Sequence, residues 1–290
     1  MNIAFRLVLT TLAAAAASPV IAQPIAYAIG NGGTSLVRFA SNNPGGAVVV
    51  ANFSGAATFL DALDFRPSTG QLYGYLDSTD SFYTVNLNTG ALSLASVGAS
   101  GAPTNTFQLG MDFNPTIDRC RVVTDSGQNI VFNPVAGTAA AFTALGYVAG
   151  DVNEGANPSI IDNAYTQNFA GATTTRQYAI DYGLDVLVTV GNNAGTLTTV
   201  GALGINTDIY RGFDIFTGPG GVDTGYAILT APGGTPSYYT INLATGAATL
   251  VGAIGITNQV YSLALIPAPG AAACITAGTL LIAMRRRRNA

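Results

Sequence analysis

Five glycines close short polar turns between alternating apolar segments at a nearly constant interval. Gly45, Gly90, Gly137, Gly195 and Gly246 lie 45, 47, 58 and 51 residues apart. A tight hairpin turn needs one residue with positive φ, which glycine supplies without steric cost. The turns read Asn86-Leu-Asn-Thr-Gly90, Asn133-Pro-Val-Ala-Gly137, Asn192-Asn-Ala-Gly195 and Asn242-Leu-Ala-Thr-Gly246, with Ser41-Asn-Asn-Pro-Gly45 as a looser copy. A period near 50 residues built on such turns marks a repeat architecture.

Between the turns apolar residues alternate in strand-sized runs, with no long amphipathic helix. The clearest unit spans Leu60 to Gly98 and predicts four strands: Leu60 to Phe65, Gln71 to Leu76, Ser81 to Leu87 and Ala91 to Val97. Four short antiparallel strands per repeat is the blade of a β-propeller. Leu63-Asp-Phe-Arg-Pro67 is repeated as Met111-Asp-Phe-Asn-Pro115, and Gly212-Phe-Asp-Ile215 opens a further copy; the fourth copy is expected to begin near Ala164 and run through Phe169. The first copy holds only three strands, and Val260 to Ile266 stands alone after the last turn. The expected fold is therefore all-β, a propeller of five four-stranded blades closed by pairing of the C-terminal strand with the N-terminal blade.

The two ends read as addresses. Residues 1–22 carry Arg6, an apolar run and the small residues Val20-Ile-Ala22, as a signal peptide does; the propeller then covers 23–266. Residues 267–290 hold Pro267, Pro269 and Gly270, an apolar stretch from Ala271 to Met284, and Arg285, Arg286, Arg287 and Arg288. As a helix the apolar stretch would span about 21 Å against ~30 Å of hydrocarbon, so contact with the membrane is expected only transiently, through this tail. Between the ends 15 acidic residues face 6 arginines and no lysine, which excludes nucleic acid as a partner. Cys120 is the one cysteine left outside the tail, so no internal disulfide is expected and the thiol reads as buried.

The tail resembles the PEP-CTERM class of bacterial sorting signals, with Ala268 where that class carries glutamate. The resemblance implies a sorting protease of the exosortase type as partner, and export to the cell surface or the extracellular space, among envelope or matrix components. Across Leu63 to Tyr73, Met111 to Pro134, Asn153 to Val190 and Asn242 to Gly255 the chain resembles a bacterial family of exported proteins described only as a domain of unknown function. It implies propeller-like repeats and no catalytic residue.

The chain has no histidine and no tryptophan. Ser-His-Asp and Cys-His nucleophiles and His-ligated zinc are thereby excluded, as is the strongest stacking platform for sugars. Asp64, Asp112 and Asp214 fall at equivalent places in three opening strands. A ring of them could hold Ca²⁺, which takes six to eight oxygen ligands; alternatively each caps the turn that follows it. No other cofactor is expected. Arg119 and Arg121 share a strand face and could grip an anion, with Arg66 or Arg211 nearby, or pair with Asp118, Asp125 or an Asp of a neighbouring blade. Glu154, the only glutamate, sits in the insertion 150–158, with Asp151, Asn153 and Asn157 as further oxygen ligands or as parts of a solvated loop. The expected function is that of an exported propeller acting as a non-enzymatic binding or structural module; the alternative is a metal-dependent hydrolase, lactonase or lyase using the axial carboxylates.

Overall fold

The computed structural model describes residues 23–97, 108–207, 211–256 and 259–267. The expected signal peptide and most of the sorting tail, including Pro269, Gly270 and Arg285 to Arg288, lie outside them.

The described chain is a five-bladed β-propeller of antiparallel, four-stranded blades. Blade 1 contains β1 (Ile25–Gly30), β2 (Ser35–Ala40) and β3 (Asn43–Asn52). A two-residue strand, β4 (Ser54–Gly55), precedes blade 2, which is formed by β5 (Ala62–Arg66), β6 (Gln71–Leu76), β7 (Ser81–Val85) and β8 (Ala91–Ser96). Blade 3 holds β9 (Leu109–Asn114), β10 (Arg119–Thr124), β11 (Asn129–Asn133) and β12 (Thr138–Ala141). After β13 (Gly146–Tyr147), blade 4 runs through β14 (Ile160–Tyr165), β15 (Gln177–Asp181), β16 (Val186–Val190) and β17 (Thr196–Ala202). Blade 5 is β18 (Gly212–Thr217), β19 (Asp223–Leu229), β20 (Ser237–Ile241) and β21 (Ala248–Ala253), and β22 (Tyr261–Leu265) follows.

β22 pairs antiparallel with β1, so blade 1 takes its inner strand from the far end of the chain. The short β4 and β13 add parallel to the outer strands of blades 2 and 4, an edge cover that the alternation pattern does not signal. Gly90, Gly137, Gly195 and Gly246 have the positive φ that the turns require. Gly45 does not: it lies inside β3, whose hairpin with β2 turns at 41–42, so the loosest of the five sequence copies is not a true copy. The fourth blade opens at Ile160, before the expected Ala164.

The core is divided among the interfaces between blades. Leu63, Phe65 and Leu72 pack against Tyr27 and Ile29; Tyr75 and Phe82 against Phe113 and Phe132; Val123 against Ile160 and Val188; Ile180 and Leu187 against Phe213 and Ile215; Ile228 and Tyr238 against Phe39 and Leu263. Such packing requires close approach of the inner strands. A Cβ at Gly110 would lie 2.5 Å from Cα of Asp162 and 2.7 Å from the carbonyl oxygen of Ile161, backbone atoms that cannot rotate away. Gly110→Ala is therefore expected to cost about 1–3 kcal/mol by forcing blades 3 and 4 apart. Gly146→Ala, with nothing within 4 Å of the added Cβ, should change stability by under ~0.5 kcal/mol. Urea midpoints of the two variants check the contrast.

Candidate functional site

The inner strands can be aligned by their partners. Asp64, Asp112, Ala164, Asp214 and Ala264 stand opposite Tyr73, Arg121, Tyr178, Tyr226 and Tyr27 on the second strands. Three blades thus present an aspartate at one axial position and two present alanine. Two residues earlier the pattern inverts: Ala62, Gly110 and Gly212 accompany the aspartates, whereas Asp162 and Ser262 accompany the alanines.

Each of these polar side chains bonds a backbone N–H of the next blade. Phe113 N–H donates to Asp64 Oδ2 at 2.8 Å, Leu265 N–H to Asp214 Oδ2 at 2.6 Å, and Leu63 N–H to Ser262 Oγ at 3.0 Å. Tyr165 N–H donates to Asp112 and Phe213 N–H to Asp162. One side chain therefore ties each pair of neighbouring inner strands, around all five interfaces. In blades 1 and 4, where the tie moves back two residues, the inner strand carries a register irregularity at that point, and Ser262 has φ of 52°. Such a bulge re-aims a side chain.

The axial carboxyls are at most 1% exposed, and oxygens of Asp64, Asp112 and Asp214 lie within 4.8 Å of one another. Burial raises all three, and the proximity of the others adds for Asp64 and Asp112; Asp214 is pushed up to about 7. Burial raises Asp162 as well, against the pull of Arg211. The expected turn caps are corrected: Asp214 does accept from its neighbour Ile215 N–H, but its second oxygen, like that of Asp64, reaches across to another blade. As a cation site the trio is poor in donors. Of the six oxygens only Asp64 Oδ1 and Asp112 Oδ1 have no hydrogen-bond partner, well short of the shell a calcium ion takes.

The other predicted residues are dispersed. Arg66, in blade 2, takes Asp118 of blade 3 through Nε at 2.7 Å and Nη2 at 2.5 Å, which holds the Asp118 carboxyl below its ordinary value. The expected pairing of Asp118 with Arg119 or Arg121 is thus replaced by a tie between blades, and Arg119 bonds the carbonyls of Ile117 and Asp118. Arg211 stacks 3.8 Å from the Tyr182 ring. In the insertion, Asp151 accepts from Thr199 N–H and hydroxyl and from Asn153 N–H, and Glu154 accepts from Gly150 N–H, so the loop is pinned to β17 by its own oxygens. Cys120 is fully buried and its thiol is pushed up by burial.

Arg121 departs from the repeat: four blades place tyrosine where blade 3 places this arginine, 2% exposed. Its Nε donates to Tyr165 hydroxyl at 2.8 Å, Nη1 to Asn129 Oδ1 and, at 3.4 Å, to the Asn192 carbonyl, and Nη2 to Asn193 Oδ1 at 2.7 Å. It forms the floor of an open pocket of about 550 Å³ between blades 3 and 4. The walls come from the β9–β10 loop (Thr116), the β14–β15 loop (Thr173, Thr174, Thr175) and the β16–β17 turn (Asn192, Asn193). That middle loop spans 166–176, against 67–70, 115–118 and 218–222 in the corresponding loops of blades 2, 3 and 5. The departure from tyrosine is visible in the sequence once the strands are aligned; the convergence of the loops is not.

Residues 35–264 match a family model described as a domain of unknown function (DUF4394). No curated protein matches the chain. Among solved structures it is similar to Kuenenia stuttgartiensis hydrazine synthase, at 13% identity and a TM-score of 0.41, covering 69% of this chain and 49% of that one. It is also similar to a chain of a nidogen/laminin complex, at 12% identity and a TM-score of 0.47, covering 84% of this chain and 98% of that one.

Proposed function

The chain belongs to the DUF4394 family, and from that premise we propose that it is an exported, non-enzymatic β-propeller that binds or organises material at the bacterial cell surface. Its substrates are none; its partners are a sorting protease of the exosortase type and components of the envelope or matrix. The observation that carries the non-enzymatic reading is the burial of Asp64, Asp112 and Asp214 and the use of their oxygens by backbone N–H groups. A hydrolytic metal needs an open coordination position that a substrate can reach, and these carboxyls are closed to solvent.

The clustering of three carboxylates within 4.8 Å favours the second reading, a metal-dependent hydrolase, lactonase or lyase. Metal analysis and thermal unfolding decide between them. On the first reading the purified protein carries no stoichiometric divalent metal and millimolar Ca²⁺ leaves Tm unchanged. One Ca²⁺ per chain with a raised Tm would instead place a cation on the folded protein, the premise the second reading needs, since a ligand that binds only the folded state must stabilise it; absence of any such metal removes that reading's main support. For the export half, deletion of residues 267–290 is expected to abolish surface display, and undiminished display would contradict it.

A further inference from the structure

We propose that the Arg121 pocket binds a hydroxyl-rich monocarboxylate, a uronic acid unit, with its carboxylate on the guanidinium and its hydroxyls on the threonine and asparagine walls. Two independent departures from the repeat meet there: an arginine in place of tyrosine, and the long 166–176 loop. Neither is needed to build a blade, since blades 2 and 5 are complete with tyrosine and a short loop. Breaks in a local rule of this kind gather at functional sites.

The charge of Arg121 has no carboxylate partner. Among the described residues the only ion pair is Arg66 with Asp118, and every acceptor around Arg121 is a neutral amide, carbonyl or hydroxyl. Asp112, opposite it in the ladder, is turned to the axis and tied to Tyr165 N–H. A guanidinium carries five N–H donors. Four bonds leave one Nη2 hydrogen for a ligand, on the terminus nearest the Asn193 wall. One buried positive charge matches one negative charge, which favours a carboxylate over a phosphate dianion. Of the remaining lining, Thr116, Thr173, Thr174, Thr175 and Asn193 offer donors and acceptors together, as a polyol requires, and Ile117 and Ala194 add apolar surface.

The 166–176 loop is fixed at both ends, and its C-terminal part, Thr173 to Thr175, lines the pocket. Gln167 N–H and Nε2 bond the Asp223 carboxylate at 3.0 and 2.9 Å, Asn168 N–H bonds Thr217 hydroxyl, and Thr175 hydroxyl bonds the Thr166 carbonyl. The wall is therefore anchored on both sides, at Gln167 and at Thr175.

The inference rests on the binding-module reading, and its test is separate from the metal test of that reading. Calorimetric titration of the intact protein with sodium D-glucuronate is expected to give one saturable site, with D-glucose and inorganic phosphate each bound at least tenfold more weakly. Arg121→Gln should weaken glucuronate at least tenfold. Because Arg121 also supports Tyr165 and Asn129, Thr174→Tyr serves as a second variant: Thr174 is exposed, so this change should keep the wild-type Tm and block the pocket. Equal binding of glucose or phosphate, no saturable glucuronate site, or full affinity in folded Thr174→Tyr would each overturn the assignment, and none would bear on whether the axial carboxylates hold a metal.

Discussion

Raising the pH from about 4 to about 7 is expected to destabilise this propeller, the reverse of a fold whose carboxylates are held ionised. Asp214 moves from 3.8 to about 7, and Asp64, Asp112 and Asp162 also lie well above 3.8, chiefly because burial disfavours the charge. Below 3.8 both the folded and the unfolded chain keep these protons and the full contribution is present. Above it the unfolded chain releases protons that the folded chain retains, so stability falls as the pH rises until the folded pKa is passed. Asp118 and Asp151, whose carboxyls are lowered by their partners, act only below 3.8 and do not offset this. Urea midpoints followed by circular dichroism should therefore decline through the window. Asp214→Asn retains an acceptor oxygen and should flatten the decline. A midpoint that climbs from pH 4 to pH 7 would mean that the axial carboxylates are ionised in the fold, and would lend weight to a bound cation.

A chain ending at Gln259 is expected not to fold. It loses Val260, Leu263 and Leu265, all buried, each contributing about 1.5–3 kcal/mol by removal from water. It also loses the ladder with β1 and two of the five ties between inner strands, Leu265 N–H to Asp214 and Leu63 N–H to Ser262. The apolar loss alone, on the order of 5–9 kcal/mol, is comparable to the whole stability of a typical domain. Added in trans, a peptide of residues 259–267 should restore β circular dichroism by strand addition at β1. Wild-type stability of the truncated chain would show that β22 is an accessory strand.

Much of the fold was legible because turn chemistry is local. Asn86, Asn133 and Asn242 each accept, through Oδ1, the N–H groups two and three residues on, and the glycine that follows takes positive φ. The same Asn-to-Gly spacing in the sequence therefore located the outer hairpins of blades 2, 3 and 5. The start of blade 4 was misplaced by four residues. There the axial aspartate is replaced by Ala164 and its task passes to Asp162 beside a bulge, so the Asp-Phe signature that marks the inner strands of blades 2 and 3 is missing. Arg121 is a candidate from the sequence as one of two arginines on a strand face; its burial is not legible there, because it comes from the neighbouring blade, whose Tyr165, Asn192 and Asn193 bond it.

The sequence by itself determined the repeat, the blade count, the strand alternation and the exclusion of histidine chemistry, since each depends on residues close together in the chain or on composition alone. Only the tertiary structure decided that the aspartates tie one blade to the next, that Asp118 belongs to Arg66, and that Arg121 meets Thr174 and Asn193 in one pocket. Those relations join residues some 50 to 70 positions apart. They arise from the packing of one blade face against the next, which sequence period fixes in number but not in which side chains meet.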